Sequence, residues 1–312
     1  MFSNKKLMKS KIIIPGGAGF IGKYVAHFFH KKEYQVIILT RGKARIENGI
    51  TYLNWDGKSF GNWIKELEGA EMVLNLAGRS VDCRYNESNK KEILDSRIDS
   101  TKIIGKAIAN CITPPKIWAN MSTATIYEHT LEGKANDEKD GIIGDDFSMN
   151  VAKIWEKTFN DFPLFATRKI AMRTSIVLGK EGGALTHLAP LVKFGLGGKN
   201  GSGKQFVSWI HVEDLARIIQ WFMENKNAAG IYNCTSPTPI RNEFFMKKIR
   251  AAFGIPFGLP APKWMIEIGT FLLRSESELV LKSRKVVPAK LLEEGFMFNF
   301  EKLDKVLKNI NI

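Results

Sequence analysis

The chain has 312 residues, of which 44% are hydrophobic and 25% charged, and a formal net charge of +14. That balance excludes a disordered chain and leaves room for one large α/β domain with a smaller lobe. The basic residues are spread through helices and turns instead of forming one arm, so the excess reads as a lysine-rich solvated surface and not as nucleic-acid contact.

No apolar run approaches ~18 residues, and residues 1–9 lead into no apolar stretch of signal-peptide length, so no membrane partner is expected. Cys83, Cys111 and Cys234 are far apart, odd in number, and form no metal-ligand or redox pair. A reducing compartment, the cytoplasm by default, and no metal are therefore expected.

Ile12, Ile13 and Ile14 suit a parallel strand covered on both faces, and Phe20, Ile21, Val25, Ala26, Phe28 and Phe29 then recur at helical spacing. Between the two periods lie Gly16, Gly17, Gly19 and Gly22. Glycines at 16, 19 and 22 let the chain turn tightly, bring backbone N–H groups against a pyrophosphate, and pack the helix close to the sheet. A lone triplet of this kind is weak evidence. Here a strand precedes it, a helix follows, and a second apolar strand at 35–40 closes the unit within ~30 residues, which makes it a dinucleotide-binding fingerprint. An NAD site wants an acidic residue about 20 positions beyond the glycines. This strand instead ends Thr40-Arg41-Gly42-Lys43. The planar fork of Arg41, with Lys43 and Arg45 nearby, favours NADP(H) over NAD(H).

The strand at 50–55 ends at Asp56, which either faces the adenine or is a turn carboxylate beside glycine. Residues 71–78 form the next strand and run into a small-residue turn. Asn75, Ala77 and Gly78 are expected to lie near the cofactor there, with plain turn chemistry the other reading of Asn75 and Gly78. Residues 86–110 carry one or two amphipathic helices, and 116–123 return to the sheet.

Strand and helix keep alternating, which implies an α/β fold with a Rossmann-type doubly wound parallel sheet and helices on both faces. Ligands in such sheets lie beyond the carboxyl ends of strands, where Thr123 to Tyr127 fall. A persisting period of two puts Thr123, Thr125 and Tyr127 on one face. After a polar loop at 132–146 come a helix carrying Val151, Ile154, Trp155 and Phe159, and a strand at 169–178.

The glycine-rich basic stretch 179–204 is either a phosphate-holding loop or a flexible connector. A strand at 206–212 precedes a helix for which Asp214 reads as a structural cap. Residues 231–234 form the last sheet strand, and helices beyond Pro237 and Pro239 build a small lobe. The expected division is a nucleotide-binding domain over 10–180 plus 206–236, with a mostly helical substrate-side lobe over 181–205 plus 237–312.

Taken together the residues resemble the atypical short-chain dehydrogenase/reductases known as the epimerase family, of the bacterial YfcH type. The resemblance covers nearly the whole chain. It is carried by Gly16-Gly17-Ala18-Gly19-Phe20-Ile21-Gly22, Asn75-Leu76-Ala77-Gly78, Ser96-Arg97 with Ser100-Thr101, and residues 173–178. Further along it rests on Phe194-Gly195-Leu196-Gly197-Gly198, Trp209-Ile210-His211-Val212 and Val287-Pro288-Ala289-Lys290. It implies a Rossmann-type fold, NADP(H) as cofactor, and an oxidoreductase or sugar-nucleotide epimerase acting on a small molecule of unassigned identity. Plant and cyanobacterial relatives are associated with plastid or cell division, so an NADP(H)-binding regulatory or interaction protein is the alternative.

Most short-chain dehydrogenases use a Tyr-x-x-x-Lys pair in which Lys lowers the Tyr pKa for proton exchange. With Glu156 setting the register, Ser148 and Ala152 occupy those positions here, and Lys153 sits roughly 100° around the helix. The resemblance places Thr123 at the family's hydroxyl position and Tyr127 at the aromatic that follows, and these two are the expected catalytic residues. His129 stands where relatives often have Gly; it reads as a substitute acid–base group or a solvated loop residue.

Overall fold

A computed structural model describes residues 9–272 and 274–310. The strands are β1 (Lys9–Pro15), β2 (Tyr34–Thr40), β3 (Arg45–Glu47), β4 (Ile50–Asn54), β5 (Met72–Asn75), β6 (Ile117–Thr123) and β7 (Arg168–Thr174). Beyond them lie β8 (Ile176–Gly179), β9 (Gly182–Gly183), β10 (Phe206–Val207), β11 (Trp209–His211), β12 (Gly230–Cys234) and β13 (Ile240–Arg241). The main helices are α1 (Phe20–His30), α2 (Glu87–Ala109), α3 (Phe147–Asn160), α4 (Ala184–Lys193) and α5 (Val212–Glu224). The C-terminal part adds α6 (Asn242–Ala252), α7 (Lys263–Leu272), α8 (Glu278–Leu281), α9 (Ala289–Glu293) and α10 (Leu303–Asn309).

The main sheet runs in the order β12-β7-β6-β5-β1-β2-β4-β3. Its pairings are parallel except at the β3–β4 edge. Because successive side chains on a strand point to opposite faces, Ile12 and Ile14 pack with Val25, Phe29 and Ile219, whereas Ile13 packs with Ile104, Trp118 and Phe159. Each face of the sheet is thus sealed by its own helices. Strand order reverses between β1 and β5, which makes the crevice beyond their carboxyl ends the topological switch point where such sheets take ligands. A separate cluster of Leu178, Trp209, Phe245, Ile249 and Val306 forms the core of the smaller part.

Three local readings are refined. Residues 86–110 hold a single helix, with the Asn86 side chain accepting from the Asn89 N–H at 2.8 Å. The run expected as one strand over 169–178 breaks at Ser175, whose N–H donates to Cys234 O at 3.2 Å. The chain then leaves the main sheet, and β8 pairs in parallel with β11. His211, not Asp214, caps α5, with its ring accepting from the Glu213 N–H. Asp214 is structural in another way: its carboxylate accepts the N–H groups of Asn299 and Phe300 at 2.9 and 2.8 Å, which ties the C-terminal segment to the sheet domain. Among the described residues no helix is long and apolar enough to cross a membrane.

Candidate functional site

The glycine turn between β1 and α1 shows why each glycine is there. Gly16 has φ +74°, and a Cβ on it would lie 2.6 Å from Ala77 Cα. A Cβ on Gly22 would lie 2.4 Å from Gly17 Cα, so this pair lets α1 sit against the turn. Gly19 differs, because a Cβ there meets nothing within 4 Å. It opens α1 without a side-chain cap and with no acidic residue in the first turn. Uncapped N–H groups facing open space at the positive end of a helix dipole fit the diphosphate of a dinucleotide. Phe20 is roofed by the β8–β9 hairpin, since Cβ atoms on Gly179 and Gly182 would fall 2.5 and 2.4 Å from its ring. Ile21 is half-buried behind the turn.

At the end of β2, Arg41 is exposed and its guanidinium has no partner among the described residues. Its backbone is fixed from below by Asn54, whose amide donates to Arg41 O at 3.2 Å and Gly42 O at 3.0 Å. Arg45 is already engaged, paired with Glu47 at 2.9 Å and lying 3.8 Å over the Tyr52 ring. Asp56 takes the turn role: it accepts the N–H groups of Lys58 and Ser59, which hold its carboxyl below the usual range.

On the far side of Ala77 lies a cavity of about 200 Å³ beyond the carboxyl ends of β5 and β6. Its polar lining is Ser122, Thr123, Thr125, Ser148, Tyr85, Arg97 and Arg284, set in an apolar wall that includes Leu76, Met121, Val151 and Trp155. Ser148, at the position of the usual tyrosine, donates to Glu278 Oε1 at 2.5 Å. Although the Ser148 hydroxyl lies close to it, the buried Tyr85 hydroxyl makes no hydrogen bond of good geometry among the described residues. Burial pushes its pKa up to about 12, against a smaller opposing pull from Ser148.

Thr123 therefore lies in the cavity as expected, while Tyr127 does not. Thr123 caps a short 3-10 turn at Ala124–Ile126, its hydroxyl accepting from the Thr125 N–H at 3.1 Å, so the period of two ends there. Tyr127 turns into the core, 1% exposed, donating to Asn233 Oδ1 at 2.9 Å and accepting from Arg173 Nη1 at 2.8 Å. Asn75 takes the turn role that its position also allowed. It is fully buried, donates to Asn120 Oδ1 at 2.7 Å and accepts from the Ala77 N–H at 3.0 Å, which shapes the turn that Gly16 packs upon. His129 bonds Ser283 O and Asp146 and lies outside the cavity lining. Glu156 and Arg173 form a buried bidentate pair at 2.8–2.9 Å, to which Ser122 donates at 2.6 Å.

Sequence reasoning missed Tyr85 and Arg284 as cavity residues. Arg284 reaches the site from over 150 positions away, and no local pattern marks it.

A profile described as "NAD dependent epimerase/dehydratase family" matches residues 12–145, and one described as "Domain of unknown function (DUF1731)" matches 261–310. Human epimerase family protein SDR39U1 is 30% identical over 306 residues, which span 96% of this chain and 99% of that protein. The chain belongs to the epimerase family. Epimerase family protein YfhF of Bacillus subtilis is 31% identical, with 96% of this chain and 97% of that relative covered. A crystal structure of human SDR39U1 (isoform 2) with NADPH superposes with a TM-score of 0.85 at 31% identity, covering 96% of this chain and 99% of the other. The Rossmann-like sheet and the helical C-terminal region are thus those of the family.

Proposed function

We propose that the protein is an NADP(H)-dependent oxidoreductase or epimerase-like enzyme that moves hydride between the nicotinamide and a carbonyl or alcohol carbon of a small molecule. The observation that carries this reading is the position of Ala77, which lies under Gly16 of the nucleotide cradle and also lines the hydroxyl-rich cavity. One turn thereby joins a diphosphate shelf to a reaction chamber. The NADPH in the SDR39U1 crystal structure supports the choice of cofactor, as does Arg41 standing free where a 2′-phosphate needs a cation. The motifs at 75–78, 194–198 and 209–212 support the bacterial YfcH type, and three free cysteines support a cytoplasmic setting.

When bound, NADP(H) supplies or accepts the hydride. Gly16, Gly17, Gly19 and the start of α1 hold the diphosphate, Arg41 holds the 2′-phosphate, and Ala77 and Gly78 let the backbone pass close. Thr123 orients the substrate oxygen. Tyr85, whose hydroxyl lines the cavity, is the group placed to give the proton that a reduced carbonyl oxygen takes up, with Arg284 opposing the burial that raises its pKa.

The regulatory alternative has one observation in its favour: Ala152 is fully buried and Ser148 is tied to Glu278, so the usual Tyr/Lys machinery is replaced. Thermal shift with NADPH and NADH tests binding, since a ligand at ~100 times its dissociation constant adds about 2.7 kcal/mol. Deuterium transfer from labelled NADPH into a metabolite extract tests turnover. Tight binding with no transfer would favour the regulatory reading.

A further inference from the structure

The cavity next to Thr123 is lined by two arginines and by no carboxylate. Neither Arg97 nor Arg284 forms an ion pair with any described residue. Arg97 is spent on structure: Nη1 donates to Arg79 O and Ile93 O at 3.0 and 2.8 Å, and the guanidinium lies 5.1 Å over the Trp155 ring. Arg284 is not. Its Nε donates to Thr125 Oγ1 at 3.2 Å, and its two terminal nitrogens find no acceptor among the described residues.

Three acidic or phenolic groups act on Arg284: Glu278, Asp146 and Tyr85. Tyr85 is neutral. The two carboxylates share Lys282, which bonds Glu278 Oε2 at 2.6 Å and also contacts Asp146, and Glu278 receives the Ser148 hydroxyl as well. Burial lowers the pKa of both arginines, that of Arg97 to about 10, and a guanidinium keeps its proton in proteins. Glu278, Asp146, Lys282 and Arg284 balance in charge, yet among the described residues no carboxylate oxygen reaches the Arg284 guanidinium, so its terminal nitrogens are donors that a ligand anion satisfies without displacing a partner.

We propose that the substrate is a compact carboxylate, of the 2-oxo or 2-hydroxy acid class, whose acidic group is held in the fork of Arg284 next to the carbon that reacts. This rests on the oxidoreductase reading above. The planar fork matches two carboxylate oxygens, and Thr125 fixes it two residues from Thr123, so acid group and reacting carbon are close neighbours. A volume of about 200 Å³, below the ~300–1,000 Å³ of drug-sized sites, suits a molecule of few heavy atoms.

The test is ligand-observed NMR titration of the full chain, with and without NADPH, using 2-oxobutyrate, 2-hydroxybutyrate, methyl 2-oxobutyrate and methyl phosphate. An acid is expected to bind at least ~10-fold tighter than the ester. That ratio is expected to fall below about two-fold in Arg284→Gln, which keeps a donor for Thr125 but loses the charge, and to survive in part in Arg284→Lys. NADPH affinity and circular dichroism should be unchanged in both variants. Equal binding of acid and ester, binding of methyl phosphate alone, binding of none of the four, or an acid preference that persists in Arg284→Gln overturns the proposal. Failure of the wild type to bind NADPH, by contrast, defeats the oxidoreductase reading, whatever the acid-to-ester ratio measured without cofactor.

Discussion

A Cβ on Gly16 would approach Ala77 Cα to 2.6 Å, whereas one on Gly19, three residues along the same turn, would touch nothing. The two glycines are therefore needed for different reasons, and substitutions separate them. Gly16→Ala combines a left-handed φ of +74° with a backbone clash and is expected to destabilise by several kcal/mol. Gly19→Ala, at an ordinary φ of −82° but at the N-cap of α1, is expected to cost only about 1 kcal/mol while weakening NADPH binding at least ~10-fold. Calorimetric Tm and a fluorescence titration with NADPH check both. An unchanged NADPH affinity in Gly19→Ala would remove the diphosphate from this shelf.

Arg41→Glu reverses the charge of an exposed side chain with no partner among the described residues, so the expected stability change is within about 0.5 kcal/mol. Affinity for NADPH is expected to fall at least ~10-fold and that for NADH to hold or rise, because a carboxylate repels the 2′-phosphate and accepts from the ribose hydroxyls. Parallel titrations with the two cofactors give the ratio. A preference for NADPH that survives the change would assign the phosphate to another cation, Lys43 being the first to try.

Tyr85 and Tyr127 are predicted to behave in opposite ways. Tyr127→Phe strips a hydroxyl from between Arg173 and Asn233, leaving buried polar groups unpaired, and is expected to cost about 1–3 kcal/mol with no loss of turnover per folded molecule. Tyr85→Phe removes a hydroxyl that makes no hydrogen bond of good geometry among the described residues. It is expected to leave stability intact and lower deuterium transfer ~10²-fold or more. Denaturant melts combined with the label-transfer rate decide the pair, and the reverse pattern would restore the role expected for Tyr127.

That exchange of roles shows where sequence reasoning stops. The glycine turn is legible because its requirements are local: a φ that only glycine accepts easily and contacts within one strand–turn–helix unit. The sheet is legible because buried parallel strands such as residues 12–14 and 36–39 are continuous apolar runs. Tyr127 leaves the face expected for it because the strand period ends at Thr123, which caps a helical turn. The break at Ser175 depends on a carbonyl from β12, and Arg284 enters the cavity from the C-terminal part. Neither leaves a mark in nearby sequence.

The last prediction concerns acid stability. His211 is 3% exposed and lies 3.9 Å from the Phe300 ring centroid, and burial lowers its pKa from 6.5 to about 4, against a smaller opposing effect of Asp214. The folded state therefore binds the proton less readily than the unfolded chain. Its contribution to stability is fully present above pH 6.5 and is lost as the pH falls toward 4. Between pH 7.5 and 4.5 the loss assigned to this one group is roughly 2–3 kcal/mol. His211→Asn keeps a side-chain oxygen for the Glu213 N–H at the start of α5 and abolishes the titration. Urea melts at the two pH values should show the wild type losing about 2 kcal/mol more than the variant, the carboxylates being common to both. Equal losses would mean that His211 becomes protonated in the folded state without penalty, which requires water to reach a ring packed between α5 and Phe300.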